Sequence, residues 1–257
     1  MNTREEQLSA LDRLLTIMDE LREKCPWDRK QTMMSLRHLT IEETYELGDA
    51  ILNDDLDEVK RELGDLLLHI FFYSKIGSER ADFDIGDVAS GISEKLINRH
   101  PHIYGDVVVA DEEEVKQNWE NIKLREGKKS VLEGVPKSLP SLVKASRIQD
   151  KVAGVGFDWE RVDDVLDKIN EEVNELKQAL NTPDKSAVEE EFGDVLFSLV
   201  NYARFINVNP ENALEKTNKK FIRRFRYLEE KAQLAGQRLQ DMTLDQMELL
   251  WQEAKSV

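Results

Sequence analysis

The feature that most constrains this chain is a pattern of carboxylates that occurs twice at one spacing. One copy reads EEVNE at 171–175 and EFGD at 191–194, and the other reads EETYE at 42–46 and ELGD at 62–65. Nineteen positions separate the second glutamate of each EExxE from the glutamate of the following ExxD. Charged residues make up 34% of the sequence, so a lone EExxE would mean little, but its repetition predicts two copies of one structural unit.

The carboxylates of the second copy interrupt surfaces on which a helix would bury carbon. Glu172 lies in the helical row of Ile169 and Leu176, and Glu191 lies in line with Val195 in the next segment. Carboxylates grouped on half-buried surface repel one another and lose hydration, which protonation, a basic partner or a hard divalent cation relieves. The pattern therefore predicts a metal site built from two helices.

Composition favours an all-α, globular protein. The 257 residues include 40% hydrophobic residues, twelve glycines and six prolines, with few alternating apolar stretches of the strand type. The net charge of -16 argues against attachment to nucleic acid or to an anionic membrane. The longest nearly apolar run, at 66–73, is far too short to span a bilayer. Because Cys25 is the only cysteine, no intrachain disulfide is possible and a reducing cytoplasm is the expected location.

A segment with two glycines and two prolines at 127–141 is predicted to link an N-terminal domain, 1–126, to a C-terminal domain, 142–257. Thr40 with Glu43 predicts a capping box at the start of the second helix, a structural role that competes with metal binding by Glu43. Helices are expected near 4–24, 41–53, 56–76, 85–99 and 111–126 in the first domain, and from 142, then near 161–181, 185–206, 211–235 and 243–254 in the second.

A basic segment near the C-terminus follows the acidic one. Its cations and the aromatic residues of the neighbouring helix face are Lys216, Lys219, Lys220, Arg223, Arg224 and Arg226, with Phe221 and Phe225. A solvated basic face over a phenylalanine core is one interpretation, and a polyphosphate-binding surface beside a carboxylate metal site is the other. Trp251 is either a core anchor or a stacking partner for a base. Lys168 is either an ion-pair partner on the helix surface or a phosphate ligand.

Taken together, these motifs resemble the MazG family of nucleoside triphosphate pyrophosphohydrolases, within the all-α NTP pyrophosphatases. The likeness covers nearly the whole chain and includes both carboxylate patterns, CPWD, RHPHIYGD, VGFDW, KFIRRF and the closing WQEAK. It implies a tandem of two helical-bundle MazG-like domains that forms a homodimer. It also implies Mg2+-dependent hydrolysis of an NTP or dNTP to the monophosphate and pyrophosphate, by attack of water on the α-phosphorus.

The resemblance assigns roles to residues at matching positions. The implied metal ligands are Glu172, Glu175, Glu191 and Asp194. Glu172 and Glu175 are both candidates for the catalytic base. The implied substrate-binding residues are Lys168, Lys220, Arg224, Trp251 and Lys255. Of these, Lys220 and Arg224 would hold the β and γ phosphates.

The N-terminal copy keeps the same four acids, which form a candidate second site at Glu43, Glu46, Glu62 and Asp65. It also keeps counterparts of the basic and aromatic residues, at Lys95, Arg99, Trp119 and Lys123. It departs at Asn98 and His100, which stand in the places of Arg223 and Phe225. The resemblance implies that this domain is structural or regulatory and that the C-terminal domain is catalytic.

Two other classes of protein fit parts of the pattern. A carboxylate-bridged di-iron bundle expects Glu-x-x-His pairs, and no histidine lies beyond His102. A noncatalytic nucleotide sensor would use the same fold as the enzyme. Magnesium-dependent release of pyrophosphate distinguishes the enzyme from the sensor.

Overall fold

The structure is a computed structural model that describes residues 1–111, 114, 115, 118, 119, 122 and 130–256. Within these residues all regular secondary structure is helical. The chain divides into two compact units, Met1–Val109 (unit 1) and Ala110–Val257 (unit 2). The all-α fold and the tandem arrangement predicted from the sequence are confirmed.

The helices of the two units are long and are joined mostly by short turns. Those of unit 1 are α1 (Arg4–Lys24), α2 (Met33–Leu52), α3 (Leu56–Glu79), α4 (Ile85–Arg99) and α5 (Pro101–Tyr104). Those described in unit 2 are α6 (Ser141–Ala153), α7 (Val162–Ala179), α8 (Lys185–Phe205), α9 (Pro210–Leu234) and α10 (Leu244–Glu253). None of the helices in the described part of the chain combines the length and the apolar character needed to cross a membrane.

The core of unit 1 forms where α1, α2 and α3 meet. Met18, Leu36, Phe72 and Ile76 are buried together, each at most 6% exposed. The three residues 53–55 connect α2 to α3, and the two helices pack closely as a hairpin. Side chains that project from facing positions of this hairpin are therefore held near one another.

The start of α2 differs from the sequence prediction. The helix begins at Met33, eight residues earlier than predicted, and Thr32 caps it through a reciprocal capping box with Ser35. Thr40 lies inside the helix, and its hydroxyl donates to the carbonyl four residues earlier. The predicted capping box of Thr40 with Glu43 is therefore wrong. The sequence argument missed the true cap because serine, and not the usual Glu or Gln, occupies its third helical position.

Unit 2 repeats the hairpin and packs further helices around it. α7 and α8 form the hairpin that corresponds to α2 and α3, while α6 and α9 pack against α8 and α10 packs against α9. Val165, Leu228 and Ala254 are each 3% exposed or less and lie in the interior of this unit. The side-chain amide of Gln149 on α6 donates to the carbonyl of Phe197 on α8 at 2.8 Å, which fixes these two helices against each other.

The remaining predicted helices agree with the structure to within a few residues at their ends. The helix expected at 111–126 falls mostly outside the described residues, and Lys123 lies outside them entirely. The segment expected as a linker, 127–141, begins well after the division between the two compact units. In its described part, Val131 accepts a hydrogen bond from the buried ammonium of Lys151 at 2.9 Å. The exact domain limits remain a prediction.

Truncating Leu36 tests the early start of α2, because this side chain is 1% exposed and lies in the core of unit 1. We expect Leu36→Ala to lower the free energy of unfolding of unit 1 by about 2 to 5 kcal/mol, through lost burial and the cavity left behind. Urea denaturation followed by circular dichroism measures this change. The matched control is Met34→Ala on the same turn, where the side chain is 77% exposed, and a similar loss in both variants would contradict the assignment.

Candidate functional site

The hairpin of α7 and α8 brings three predicted carboxylates together. Glu172 and Glu175 project from one face of α7 because they are three residues apart, and Glu191 faces them from α8. Each of the three offers a carboxylate oxygen, and these oxygens all lie within 4.8 Å of one another. Glu172 is 6% exposed, Glu191 is half-buried and Glu175 is exposed. These residues are called trio 2 below.

The hairpin of α2 and α3 holds an equivalent group in unit 1. Oxygens of Glu43, Glu46 and Glu62 also lie within 4.8 Å of one another, and these residues are called trio 1. Glu62, the counterpart of Glu191, is the buried carboxylate of trio 1 and is 5% exposed. Its Oε2 atom is buried and has no hydrogen-bond partner among the residues that the structure describes. Such an oxygen is costly to bury unless a cation or a donor satisfies it.

The fourth predicted acid of each copy stands somewhat apart from its trio. In the described part of the chain, the oxygens grouped within 4.8 Å do not include those of Asp194 or Asp65. Asp65 is nevertheless close enough to Glu43 for its charge to help raise the pKa of that carboxyl. Asp194 is exposed on α8, one turn after Glu191. Metal binding by Asp194 and Asp65 remains a prediction.

In each trio the surroundings of one carboxyl raise its pKa and so disfavour its ionised state. Burial is the largest cause that raises the pKa of Glu43, followed by the charges of Asp65, Glu46 and Glu62. Burial also raises the pKa of Glu175, together with the charges of the other two members of trio 2. A divalent cation among these oxygens would remove the repulsion, so both trios are chemically suited to a hard metal ion.

Trio 2 differs from trio 1 because a cation of the protein already contacts it. The ammonium of Lys168, one turn before Glu172, lies 2.8 Å from Glu172 Oε1 and 3.0 Å from Glu171 Oε1. The hydrogen bonds to Glu172 and then to Glu171 are the largest causes that raise the pKa of Lys168. The sequence analysis assigned no role to Glu171. Its spacing of three residues from Lys168 was the signal for this contact.

Of the other predicted nucleotide-binding residues, Lys220 and Arg224 lie on α9, Trp251 lies on α10 and Lys255 lies two residues after the end of α10. Phe221 packs against Trp251 with ring centroids 5.0 Å apart, and the guanidinium of Arg224 lies over the same indole, 5.8 Å from the ring centroid. The Nε atom of Arg224 is buried and, within the described part of the chain, has no hydrogen-bond partner. Lys220 is exposed, and the Lys255 ammonium donates to the side-chain oxygen of Gln252 at 2.8 Å.

These contacts bear on the two interpretations of Trp251. Its ring is a packing partner of α9 and is half-buried, so it has the character of an anchor between the last two long helices. Part of the ring remains accessible beside Arg224. Among the described residues, neither Lys220 nor Arg224 forms an ion pair with the carboxylates of trio 2, so their positive charges are available to an anion.

The chain is thus an all-α protein with a group of hard oxygen donors on each of two helical hairpins. The sequence model of the MazG nucleotide pyrophosphohydrolase domain matches residues 31–104 and 161–228, which contain the two hairpins. The chain therefore belongs to the MazG nucleotide pyrophosphohydrolase family, as its motifs predicted.

Relatives match over nearly the full length of the chain. A protein of Escherichia coli K12, named nucleoside triphosphate pyrophosphohydrolase, is 42% identical over 96% of this chain and 98% of its own length. A protein of Thermotoga maritima, named nucleoside triphosphate pyrophosphohydrolase/pyrophosphatase MazG, is 45% identical over 95% of each chain. The similarity thus spans both units and not only one hairpin.

The raised pKa of Glu43 predicts that trio 1 opposes folding when no metal is present. A carboxyl whose pKa is higher in the folded state contributes stability at low pH, and this contribution is lost as the pH rises through the folded-state value. We therefore expect Glu43→Gln to raise the urea midpoint of unit 1 in EDTA at pH 7.5, and to raise it less at pH 4.5. Saturating Mg2+ should shrink or reverse the gain, because the variant lacks a ligand.

The matched control for this experiment is Glu42→Gln, which removes the same charge from the preceding, exposed position of α2. This control should leave the midpoint nearly unchanged at both pH values. Equal stabilisation by the two variants would show that the overall net charge, and not the crowding within trio 1, is responsible.

Proposed function

We propose that the protein is a Mg2+-dependent nucleoside triphosphate pyrophosphohydrolase. It would convert an NTP or dNTP and water to the monophosphate and pyrophosphate. The observation that carries this proposal is trio 2, three carboxylates within 4.8 Å of one another on one hairpin of a chain from this family. The names of the relatives in E. coli and T. maritima support the same reaction class.

The donor set suits Mg2+. All members of the trios are carboxylates, which are hard oxygen ligands, and the buried Oε2 of Glu62 in trio 1, which has no hydrogen-bond partner among the described residues, is an oxygen that a cation could satisfy. In unit 2, Glu172, Glu175 and Glu191 would hold the ion, with Asp194 as a further ligand. When bound, Mg2+ would neutralise phosphate charge and lower the pKa of a coordinated water.

The residues of trio 2 differ in their suitability as a general base. Glu172 is buried and held by the Lys168 ammonium, whereas Glu175 is exposed and its pKa is raised. An exposed carboxylate is accessible to the attacking water, whereas a buried carboxylate that is held by an ammonium is much less so. Glu175 would therefore take the proton of the attacking water as the oxygen bonds to the α-phosphorus. The bond from that phosphorus to the bridging oxygen breaks, and pyrophosphate leaves with the electron pair.

The cations of α9 would bind the part of the substrate that leaves. Arg224 is positioned by its contact with Trp251, and Lys220 lies one helical turn earlier on the same face. Both are suited to the β and γ phosphates, because guanidinium and ammonium groups pair strongly with phosphate oxygens. The accessible part of the Trp251 ring would contact the base, and Lys168 and Lys255 would complete the set of phosphate contacts.

We further infer that the C-terminal domain, 142–257, is catalytic and that the N-terminal domain, 1–126, is structural or regulatory. Both units carry a carboxylate trio, so loss of acids does not separate them. The basic side chains do separate them, because Asn98 stands where unit 2 has the cation Arg223, and the aromatic Phe225 is also replaced, by His100. The weaker basic surface of the first domain argues against productive binding of a triphosphate there.

A homodimer is part of the proposal. α8 exposes Phe192, Leu196 and Leu199, at 54%, 42% and 45%, and these spacings place all three on one helix face. At the corresponding positions of α3, Leu63 and Ile70 are 52% and 46% exposed. Apolar stripes of this kind usually mark surfaces that another protein covers. A second copy of this chain would bury them in a symmetric helical interface.

Product analysis with a panel of NTPs and dNTPs tests the reaction. We expect the monophosphate and pyrophosphate in equal amounts, with turnover lost in EDTA. In water enriched in oxygen-18, the label should enter the monophosphate, because the attack is on the α-phosphorus. Glu172→Ala with Glu175→Ala should lower kcat by on the order of 100-fold or more, since it removes two ligands and the base.

Two further double variants make this test specific. Glu189→Ala with Glu190→Ala removes two exposed acids of α8 outside trio 2 and should leave turnover within about twofold. Glu43→Ala with Glu46→Ala should reduce turnover far less than the pair in trio 2. Turnover that survives the loss of trio 2 but disappears with trio 1 would place the active site in unit 1. Nucleotide binding without any turnover would identify a sensor.

Light scattering coupled to gel filtration tests the homodimer. The wild-type protein should have twice the chain mass of 29.8 kDa. Phe192→Lys with Leu199→Lys should shift it toward the monomer, because two cations would be placed on the apolar stripe. The control is Leu234→Lys at the end of α9, which is 82% exposed outside that stripe. A monomeric wild-type protein, or a double variant that remains dimeric, would refute this interface.

A further inference from the structure

We propose that Lys168 is an internal counter-ion that occupies trio 2 when no divalent metal is bound, so that the two trios differ in metal affinity and trio 1 binds the more tightly. This inference rests on the proposed metal-binding function of both trios. It adds a difference in metal affinity between trio 1 and trio 2, which the repeated carboxylate pattern does not by itself predict.

Lys168 is paired with the buried carboxylate of trio 2. The Lys168 ammonium lies 2.8 Å from Glu172 Oε1 and is also held by Glu171 at 3.0 Å. Glu172 is 6% exposed, so this hydrogen bond satisfies a carboxylate that has little access to water. A metal ion that binds Glu172 has to compete with the ammonium for the same buried group. It also has to approach a positive charge on the neighbouring turn.

The position in unit 1 that matches Lys168 carries an apolar side chain. The two patterns are offset by 129 residues throughout, from Glu43 to Glu172 and from Glu62 to Glu191. At this offset the counterpart of Lys168 is Leu39. Leu39 is half-buried and packs against the core cluster of unit 1. The position that carries the Lys168 ammonium in unit 2 therefore carries an apolar side chain, packed against the core, in unit 1.

Trio 1 has no counterpart of Lys168 to compensate the charges of its carboxylates. In the described part of the chain, no ion pair reaches Glu43, Glu46 or Glu62. The charged groups that act on Glu43 are Asp65, Glu46 and Glu62, which are all acidic, and the buried Oε2 of Glu62 has no hydrogen-bond partner among the described residues. A divalent cation that enters trio 1 relieves repulsion and satisfies a buried oxygen. A divalent cation at trio 2 would provide less stabilisation, because Lys168 already compensates part of the negative charge.

The counter-ion also reconciles the two roles predicted for Lys168 from the sequence. In the metal-free protein it is an ion-pair partner. Once a metal ion has displaced it from Glu172, its ammonium is released beside the site and can contact a phosphate of the incoming nucleotide. The same side chain thus protects the carboxylates before the metal arrives and serves the substrate afterwards.

Direct binding of Mn2+ in the absence of nucleotide tests the inference, with free Mn2+ measured by electron paramagnetic resonance. Glu172→Gln with Glu175→Gln leaves only trio 1 intact, and Glu43→Gln with Glu46→Gln leaves only trio 2. We expect the variant that keeps only trio 1 to bind Mn2+ at least about tenfold more tightly than the variant that keeps only trio 2. A tenfold ratio of affinities corresponds to the free energy of about one hydrogen bond to a charged group. Adding Lys168→Leu to the second protein should tighten its binding by about the same factor.

Two controls isolate the counter-ion from general charge effects. Lys177→Leu removes an exposed lysine from the same helix and should change Mn2+ affinity much less than Lys168→Leu. Leu39→Lys, added to the protein with only trio 1, should weaken binding, whereas Leu39→Met should not. The Lys168→Leu comparison stands by itself if Leu39→Lys impairs folding.

The outcomes separate this inference from the proposed function. Mn2+ affinity at trio 2 that is unchanged or weakened by Lys168→Leu, or matched by Lys177→Leu, would overturn the counter-ion role and leave the metal site in place. Tighter binding at trio 2 than at trio 1 in the otherwise unaltered backgrounds would overturn the predicted order. The absence of Mn2+ binding in both backgrounds would refute the metal site itself and the counter-ion with it.

Discussion

The structure depends on a conflict between helix packing and charge. Two helices that form a hairpin bury the faces they share, and in each unit those faces carry three glutamates whose oxygens come within 4.8 Å of one another. Burial and mutual repulsion raise the pKa of Glu43 and of Glu175, so the folded metal-free protein holds carboxylates in unfavourable surroundings. Proteins accept such local costs where function requires them, because the surrounding core supplies enough stability.

Each unit handles this conflict with a different residue at one helical position. In unit 2 the residue one turn before Glu172 is Lys168, and in unit 1 the residue one turn before the corresponding Glu43 is Leu39. The lysine provides charge compensation at the site, while the leucine adds to the hydrophobic core and leaves the acids uncompensated. Two copies with the same backbone arrangement can thus diverge in their affinity for cations through a single side chain, without a change of fold.

The aromatic and basic residues of α9 and α10 show how packing can prepare a binding surface. Phe221 and Trp251 are in contact, and Arg224 lies over the indole ring. These contacts restrict the rotamers of Arg224 before any ligand binds, which lowers the entropy lost when its guanidinium pairs with an anion. A residue that is part of the packing can therefore also serve recognition, and the two interpretations of Trp251 do not exclude each other.

The sequence by itself determined the all-α class, the tandem repeat, the ends of most helices and the identity of the acids that meet. These follow from local periodicity and from repeated spacing, which are properties of short segments. Tertiary structure decided what depends on contacts between segments. The start of α2 was missed because burial of Leu36 in a three-helix core is invisible to local capping rules. The pairing of Lys168 with a buried Glu172 was left open because only the packed hairpin decides which oxygens lose their water.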